Sequence, residues 1–394
     1  MLLELIIALL IGVTCGTITG LIPGIHINLI GAMLISLSAS SLLKFDPIYI
    51  VSFIATMAIT HTFVDFIPSI FLGCPDTDTE LSILPGHEML KQGKAHEGVM
   101  LTACGSLAAV IISAFIAYPS TFLIAKAYEL LRDIIPYLLI AVSVILIIME
   151  RDRFRAGVIF ALTGILGYIT LNSTINQPLL PLLTGLFGAS SLIISLKNKT
   201  VIPTQTITEE KPKMLKPLIG SFIASPICSF LPGLGSGQAA IIGNTISKTD
   251  KRGFLVLLGA TNTFVMAFSF FSLYAISRTR TGAAVAIKDI VGTLDFQTFI
   301  LISVIVLISG TFAFFITKSL SEKISSKITK INYSKITITT ILILTIVTIF
   351  VSGFAGLILL AVSTITGIYA INSKVRRTNM MGCLLIPTIV LYLF

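Results

Sequence analysis

The sequence predicts an all-α polytopic membrane protein made of two inverted-topology repeats, each a Pro-Gly re-entrant helical hairpin plus about five transmembrane helices. Three observations predict it. The chain is 55% hydrophobic and only 11% charged, with a mean hydropathy of +1.00, whereas a soluble domain carries roughly 25% charge. Apolar runs of about 20 residues, the length that crosses a bilayer, recur from end to end. Pro-Gly interrupts two of these runs, in Ile22-Pro23-Gly24 and in Leu231-Pro232-Gly233. Such an interruption at matching places in two halves points to a transporter's binding site.

The elements follow in order. The start, Met1 to Thr14, carries Glu4 and neither a basic region nor a cleavage site, so it reads as structure and not as a removable signal peptide. A broken hairpin over 4–41 comes first, and its break reads Gly20-Leu-Ile-Pro-Gly-Ile-His26-Ile-Asn28. Spans near 47–73, 98–124, 134–150, 156–172 and 177–196 complete a first repeat, residues 1–196. The segment 197–216, with Glu209, Glu210 and five lysines, is the hydrophilic linker. The second repeat, 217–394, opens with a hairpin over 217–247 whose break runs Phe230-Leu-Pro-Gly-Leu-Gly235-Ser236-Gly237-Gln238. Spans near 253–276, 296–317, 336–352, 355–373 and 379–394 follow. The prolines of the two breaks lie 209 residues apart. A second correspondence keeps the same order: Thr60-His61-Thr62-Phe63-Val64 matches Thr261-Asn262-Thr263-Phe264-Val265 in four of five positions.

Charge fixes orientation. The net charge of +9 is concentrated in short loops: Arg151, Arg153 and Arg155; the linker; Lys248, Lys251 and Arg252; Lys318 to Lys330; Lys374, Arg376 and Arg377. The alternate loops 171–177 and 351–354 carry none. Basic loops belong in the cytoplasm, which puts both termini outside a cell (plasma) membrane and leaves Arg278, Arg280 and Lys288 as exceptions. An odd number of crossings per half then inverts the second repeat relative to the first. Re-entrant hairpins suit the short arms, because a Pro-Gly tip frees backbone groups that need protein or water around them. No basic face outside the membrane suits nucleic acid. The five cysteines show no CxxC spacing, so neither a disulfide framework nor a zinc site follows.

These residues resemble the tripartite tricarboxylate transporter permease (TctA) family. The paired G-x-x-P-G hairpins carry the resemblance. So does the stretch from Phe71 to Val99, a proline loop at Pro75 followed by Gly86-His87-Glu88-Met89 and Gly93-Lys94-Ala95. The chain is about a hundred residues shorter than typical members and has Asp76 and Asp78 where the family has small residues after the loop proline, which marks a compact, divergent branch. The resemblance implies a tricarboxylate-like substrate, a small membrane subunit and an extracytoplasmic binding protein as partners.

The candidate substrate-binding residues begin with Pro23, Gly24, Pro232 and Gly233. A broken helix exposes N–H groups at the start of its continuing half, where the dipole favours an anion, and free carbonyls at the other end, which suit Na+. The alternative is a packing kink. His26 and Asn28 after the first break, and Gly235, Ser236, Gly237 and Gln238 after the second, either bind the anion or cap a broken helix. Arg278 and Arg280 suit a carboxylate or phosphate; as an ordinary charge run they would only be solvated. For ion coupling, His61 and Asp65 share a helix face at i, i+4, and ionisable groups at membrane depth are usually functional. Thr60, Thr62, Thr261, Asn262 and Thr263 join them. The bland reading is a structural pair near a helix end. His87-Glu88 fails as an H-E-x-x-H zinc motif because Lys91 stands at the fifth position.

The expectation is a secondary active transporter of a small organic anion, driven by Na+ or H+, with no other cofactor and no enzymatic constellation. A translocase for a lipid-linked phosphate, such as a polyprenyl phosphate carrier, stays open as the alternative. The same hairpins could hold a phosphate head group.

Overall fold

In the computed structural model, residues 2–22, 46–72, 79–131, 134–197, 203–208, 211–230, 235–328 and 333–393 are described. Every regular element among them is helical. In chain order these are α1 (Leu2–Leu21), α2 (Pro47–Val64), α3 (Phe66–Leu72), a 3₁₀ turn (Glu80–Ser82), α4 (Ile83–Lys91), α5 (Ala95–Leu131), α6 (Ile135–Ile148) and α7 (Arg153–Leu171). Next come α8 (Leu179–Leu183), a π turn (Thr184–Ala189), α9 (Ser190–Lys197), α10 (Leu215–Phe230), α11 (Ser236–Ser247), α12 (Lys251–Ile276) and α13 (Gly282–Val291). The chain closes with α14 (Phe296–Lys327), α15 (Tyr333–Asn372), a 3₁₀ turn (Arg377–Met381) and α16 (Gly382–Leu393). Seven helical stretches are long and apolar enough to cross a membrane. Helices stand at the spans read from the sequence, but those near 134–150, 177–196 and 379–394 are shorter apolar helices; α4 and α13 are extra short helices in segments read as loops.

Local chemistry sets the ends. Aspartate starts four of these helices: Asp46, Asp152, Asp250 and Asp295 each accept from a backbone N–H of the first turn. Between α2 and α3 the helix tightens at Asp65, because Pro68 has no N–H to give the carbonyl of Val64 four residues back. Gly353 (φ 67, ψ −165) divides α15 into two limbs. Leu344 packs with Leu192, and Gly367 lies against Leu186 and Ser190, so both limbs reach the same neighbouring segment. A straight helix would hold Leu344 and Gly367 about 34 Å apart, so the chain folds back at Gly353, inside the uncharged loop 351–354.

Two bundles result, and neither coincides with one half of the sequence. The first gathers α1–α5 with α10–α14; the second packs α6–α9 against α15 and α16. At the centre of the first, α2 and α12 are buried along nearly their whole length, as expected of helices apolar all round. Small residues let backbones meet. Gly12, Gly16 and Gly20 form one face of α1, and a Cβ at Gly16 would stand 2.5 Å from the carbonyl oxygen of Met57. Gly105 of α5 and Gly259 of α12 sit backbone to backbone at the α5–α12 crossing. Rings of Phe222, Phe264, Phe268, Phe271, Phe299 and Tyr274 then tie α10, α12 and α14 together, down to the 4.4 Å stack of Tyr274 on Phe299.

The segment 203–208 of the hydrophilic linker is strapped onto the turn between α4 and α5. Thr206 donates its N–H (2.7 Å) and its hydroxyl (2.9 Å) to the carbonyl of Gly93. Gln205 accepts from the Ala95 N–H at 3.0 Å and donates to the Leu90 carbonyl at 3.0 Å. Gly93 holds φ +77, and a Cβ there would lie 2.7 Å from the carbonyl oxygen of Thr204. Gly93→Ala should therefore cost roughly 1–2 kcal/mol in backbone strain alone and loosen the strap. Limited proteolysis at 203–208 should then run faster than in the parent chain; an unchanged rate would contradict the strap.

Candidate functional site

Thr62 Oγ1 and Thr263 Oγ1, the corresponding hydroxyls of the two T-x-T-F-V segments, meet at 3.2 Å where α2 crosses α12. Asn262 Nδ2 donates to Asp65 Oδ2 at 2.9 Å and lies 3.5 Å from the Thr62 carbonyl. Position 262 corresponds to His61 in the first segment, so one half's polar residue reaches the other half's carboxylate. All of these side chains are buried, Asp65 to 4% exposure. The hydroxyls of Thr60 and Thr261, buried on the same two helices, have no hydrogen-bond partner among the described residues. Every ion-coupling candidate thus stands on two helices in direct contact.

The end of α1 closes on this cluster. Thr19 Oγ1 meets His61 Nδ1 at 3.1 Å, and a Cβ at Gly20 would sit 3.2 Å from the Asp65 backbone nitrogen. The first Pro-Gly break begins within three residues of these contacts. Pro23, Gly24, His26 and Asn28 themselves lie outside the described residues, as do Pro232 and Gly233.

The second break is bordered on both sides. Helix α10 runs into it and α11 leaves it; Gly220 near the start of α10 packs on Gly243 and Ser247 near the end of α11, so the two run antiparallel. They have 16 and 12 residues, too few at 1.5 Å per residue to cross a hydrocarbon core of about 30 Å. Helix α1, which precedes the first break, has 20 residues and is long enough. At the start of α11, Ser236, Gly237 and Gln238 are buried. Gln238 Oε1 accepts from the Gly235 N–H at 2.7 Å, and its Nε2 has no partner among the described residues. A buried helix start with an amide donor beside it is electropositive and favours an anion.

The serines at the end of α10 connect this break to α12. Ser229 Oγ and Ser272 Oγ are 3.1 Å apart, and Ser269 Oγ lies 3.4 Å from the Ser229 carbonyl. Thr279 Oγ1 donates to the Ser269 carbonyl at 3.0 Å, which pins the segment carrying Arg278 and Arg280. The two arginines part company there. Arg278 is exposed and lies over the Tyr128 ring at 5.4 Å, a cation–π contact. Arg280 is partly buried and within electrostatic reach of Cys228, near the end of α10.

Two buried polar groups, His96 and Glu97, escaped the sequence reading because their partners lie on distant helices. Glu97 in the first turn of α5 is 1% exposed and pairs with Arg252 at the start of α12, with Lys94 Nζ at 3.9 Å. His96 Nδ1 meets Ser321 Oγ of α14 at 3.0 Å. Glu88 pairs with Lys251 at 2.6 Å. Burial, and then the neighbouring Lys91, with Arg377 adding a smaller push, hold His87 below the ordinary histidine range. Among the described residues no group of three or more His, Cys, Asp and Glu side chains could hold a metal ion.

Residues 6–382 match the model of the tripartite tricarboxylate transporter TctA family. The chain belongs to that family. It is a multi-pass membrane protein of a transporter permease family, not of an enzyme family. The chain is also 32% identical over 397 residues to an uncharacterized protein of Methanocaldococcus jannaschii, with 98% of each chain covered. No solved structure matches it.

Proposed function

We propose that this TctA-family permease is a secondary active transporter of a small organic anion of the di- or tricarboxylate class, coupled to Na+ or H+. The observation that carries this reading is the start of α11: a buried helix N-terminus directly after the Pro-Gly break, with the unpartnered Gln238 Nε2 beside it. An anion placed there gains oriented backbone donors without bringing in a full positive charge. The coupling ion is assigned to the α2–α12 crossing, where Asp65 supplies negative charge and the Thr60 and Thr261 hydroxyls supply oxygen donors. Oxygen-rich sites with one carboxylate suit a hard cation, and protonation of Asp65 would serve the same neutralising purpose.

Alternating access in this reading is the movement of inverted repeats about the two breaks. Support for the repeats comes from the meeting of equivalent hydroxyls at Thr62 and Thr263. The short α10 and α11 support a re-entrant second hairpin. The family's description as tripartite leads us to propose a small membrane subunit and an extracytoplasmic binding protein as partners, in a plasma membrane with both termini outside.

Gln238→Glu tests the reading. It keeps the acceptor for the Gly235 N–H, and a carboxylate in the first helical turn is compatible with the dipole. It replaces the inward donor with negative charge. Carboxylate affinity, read by ligand-induced thermal stabilisation of the detergent-purified protein, should fall at least about tenfold, the equivalent of one charged hydrogen bond. An unchanged affinity would remove the α11 start from the binding site.

A further inference from the structure

We propose that a row of buried hydroxyls on α14 holds water and, with His96, carries protons between Asp65 and the aqueous side at the Lys-rich end of that helix. This rests on the reading of Asp65 as the coupling carboxylate, and it names the coupling ion as H+. The buried face of α14 changes along its length. Toward its start it presents Phe299, Ile302, Ile305 and Val306; from Ser309 onward only small or polar residues remain. Ser309, Ala313, Thr317, Ser321 and Ser325 recur there at every fourth position, which places them in one row. Hydroxyls within a helix can donate to the carbonyl four residues back, as Ser303 does to Phe299 (2.9 Å) and Thr311 to Leu307 (2.8 Å) on the same helix. Those of Ser309, Thr317 and Ser325 do not, and they have no hydrogen-bond partner among the described residues. Ser113 of α5, a helix packed on α14, has a buried hydroxyl in the same condition. Buried hydroxyls grouped in this way are the partners that internal water needs.

Titratable groups stand beside the row. Ser321 Oγ meets His96 Nδ1 at 3.0 Å, and both side chains are fully buried. Leu320 and Ile324 of α14 pack against the apolar cluster that contains Val64 and Phe66, the two neighbours of Asp65, and Ala95 and Val99 of α5. The row therefore passes at the depth of Asp65 as well as of His96. Glu97 is committed to Arg252 of α12 and to Lys94. Lys318 and Glu322 flank the row on α14 itself, and α2 adds His61, which meets Thr19 of α1. His96 is thus the titratable side chain in hydrogen-bond contact with the row. Its imidazole suits a relay: one ring nitrogen takes up a proton while the other releases one, so the ring ends neutral and the proton moves on. Chains of ionisable groups serve proton transfer at membrane depth in the same way.

The test is the full-length chain in phosphatidylethanolamine–phosphatidylglycerol vesicles loaded with a pH-sensitive dye, with succinate and citrate added outside as probes. Either carboxylate should change the internal pH of parent vesicles. His96→Ala should slow the initial rate on the order of a hundredfold, the scale of a positioned acid–base group, at an unchanged half-saturating carboxylate concentration. Free imidazole should restore much of that rate, which it cannot do for a purely structural histidine. His96→Gln, which keeps a hydrogen-bonding partner for Ser321 and takes up no proton, should stay as slow. Thr317→Val, which removes one hydroxyl and keeps the shape, should slow the rate about tenfold, the weight of roughly one hydrogen bond. Parent rates in His96→Gln would make the histidine structural and overturn the relay. Unchanged rates in His96→Ala and Thr317→Val, with Asp65→Asn still abolishing the pH change, would overturn the relay and leave Asp65 as the coupling group. A pH change that survives Asp65→Asn would overturn the coupling reading itself. A parent that moves no protons with either carboxylate would overturn H+ as the ion.

Discussion

Asp65→Asn is expected to abolish the dependence of anion binding on the coupling cation while leaving the fold intact. Asp65 is the only acidic residue in 47–72 and 251–276, the two stretches that cross at Thr62 and Thr263. It is buried, and one of its oxygens accepts from Asn262 Nδ2 at 2.9 Å. Asparagine has the same shape and keeps an acceptor for that amide, so packing survives. What goes is the negative charge that would attract Na+ or take a proton. Losing a charged contact of about 1.5–3 kcal/mol corresponds to a drop of roughly 10–100-fold in apparent cation affinity. The check is a Na+ and pH titration of the carboxylate-induced thermal shift. A cation curve identical in parent and variant would place the coupling ion elsewhere; the buried Glu97 would then be the next carboxylate to examine.

The largest stability loss is expected from Gly259→Ala. Gly259 of α12 and Gly105 of α5 let two main chains touch; a Cβ at 259 would collide with the carbonyl of Thr102, and one at 105 with the carbonyl of Val256. The obstacle in each case is backbone within a helix, which cannot rotate away as a side-chain end can. Separating α5 from α12 would also disturb the hydrogen bond from Ser106 Oγ to the Gly259 carbonyl, at 2.9 Å. Overpacking of this kind costs typically about 1–3 kcal/mol and more where the backbone must move. Gly157→Ala is the control, since nothing lies within 4 Å of a Cβ there, and alanine favours the helix by up to about 1 kcal/mol. The fraction of monodisperse protein left after heating should fall sharply for the first variant and hold or rise for the second. Equal behaviour would contradict the close crossing.

The comparison of sequence with structure separates what hydropathy carries from what it does not. Apolar run lengths located helices, seven stretches of which are long enough to cross a membrane, and the uncharged loop 351–354 marked the fold-back that Gly353 makes. The T-x-T-F-V correspondence singled out two segments, and they stand where α2 crosses α12. Hydropathy gave no means of telling buried α2 and α12 from the largely exposed limbs of α15, since all are apolar. It could not link Asp65 to Asn262 or Glu97 to Arg252, partners that lie on different helices and share no spacing. Arg278 and Arg280 looked equivalent in sequence. In the fold, one lies over Tyr128 and the other is half-buried within electrostatic reach of Cys228.

The most direct test of an ion-coupled anion site is the thermal stability of the purified chain with citrate or succinate, with and without Na+, at two pH values, and with polyprenyl phosphate in parallel. A ligand at 100 times its dissociation constant should stabilise by about 2.7 kcal/mol. A carboxylate should stabilise the protein, and Na+ or acid should strengthen the effect. Stabilisation by polyprenyl phosphate alone, indifferent to Na+ and pH, would contradict it.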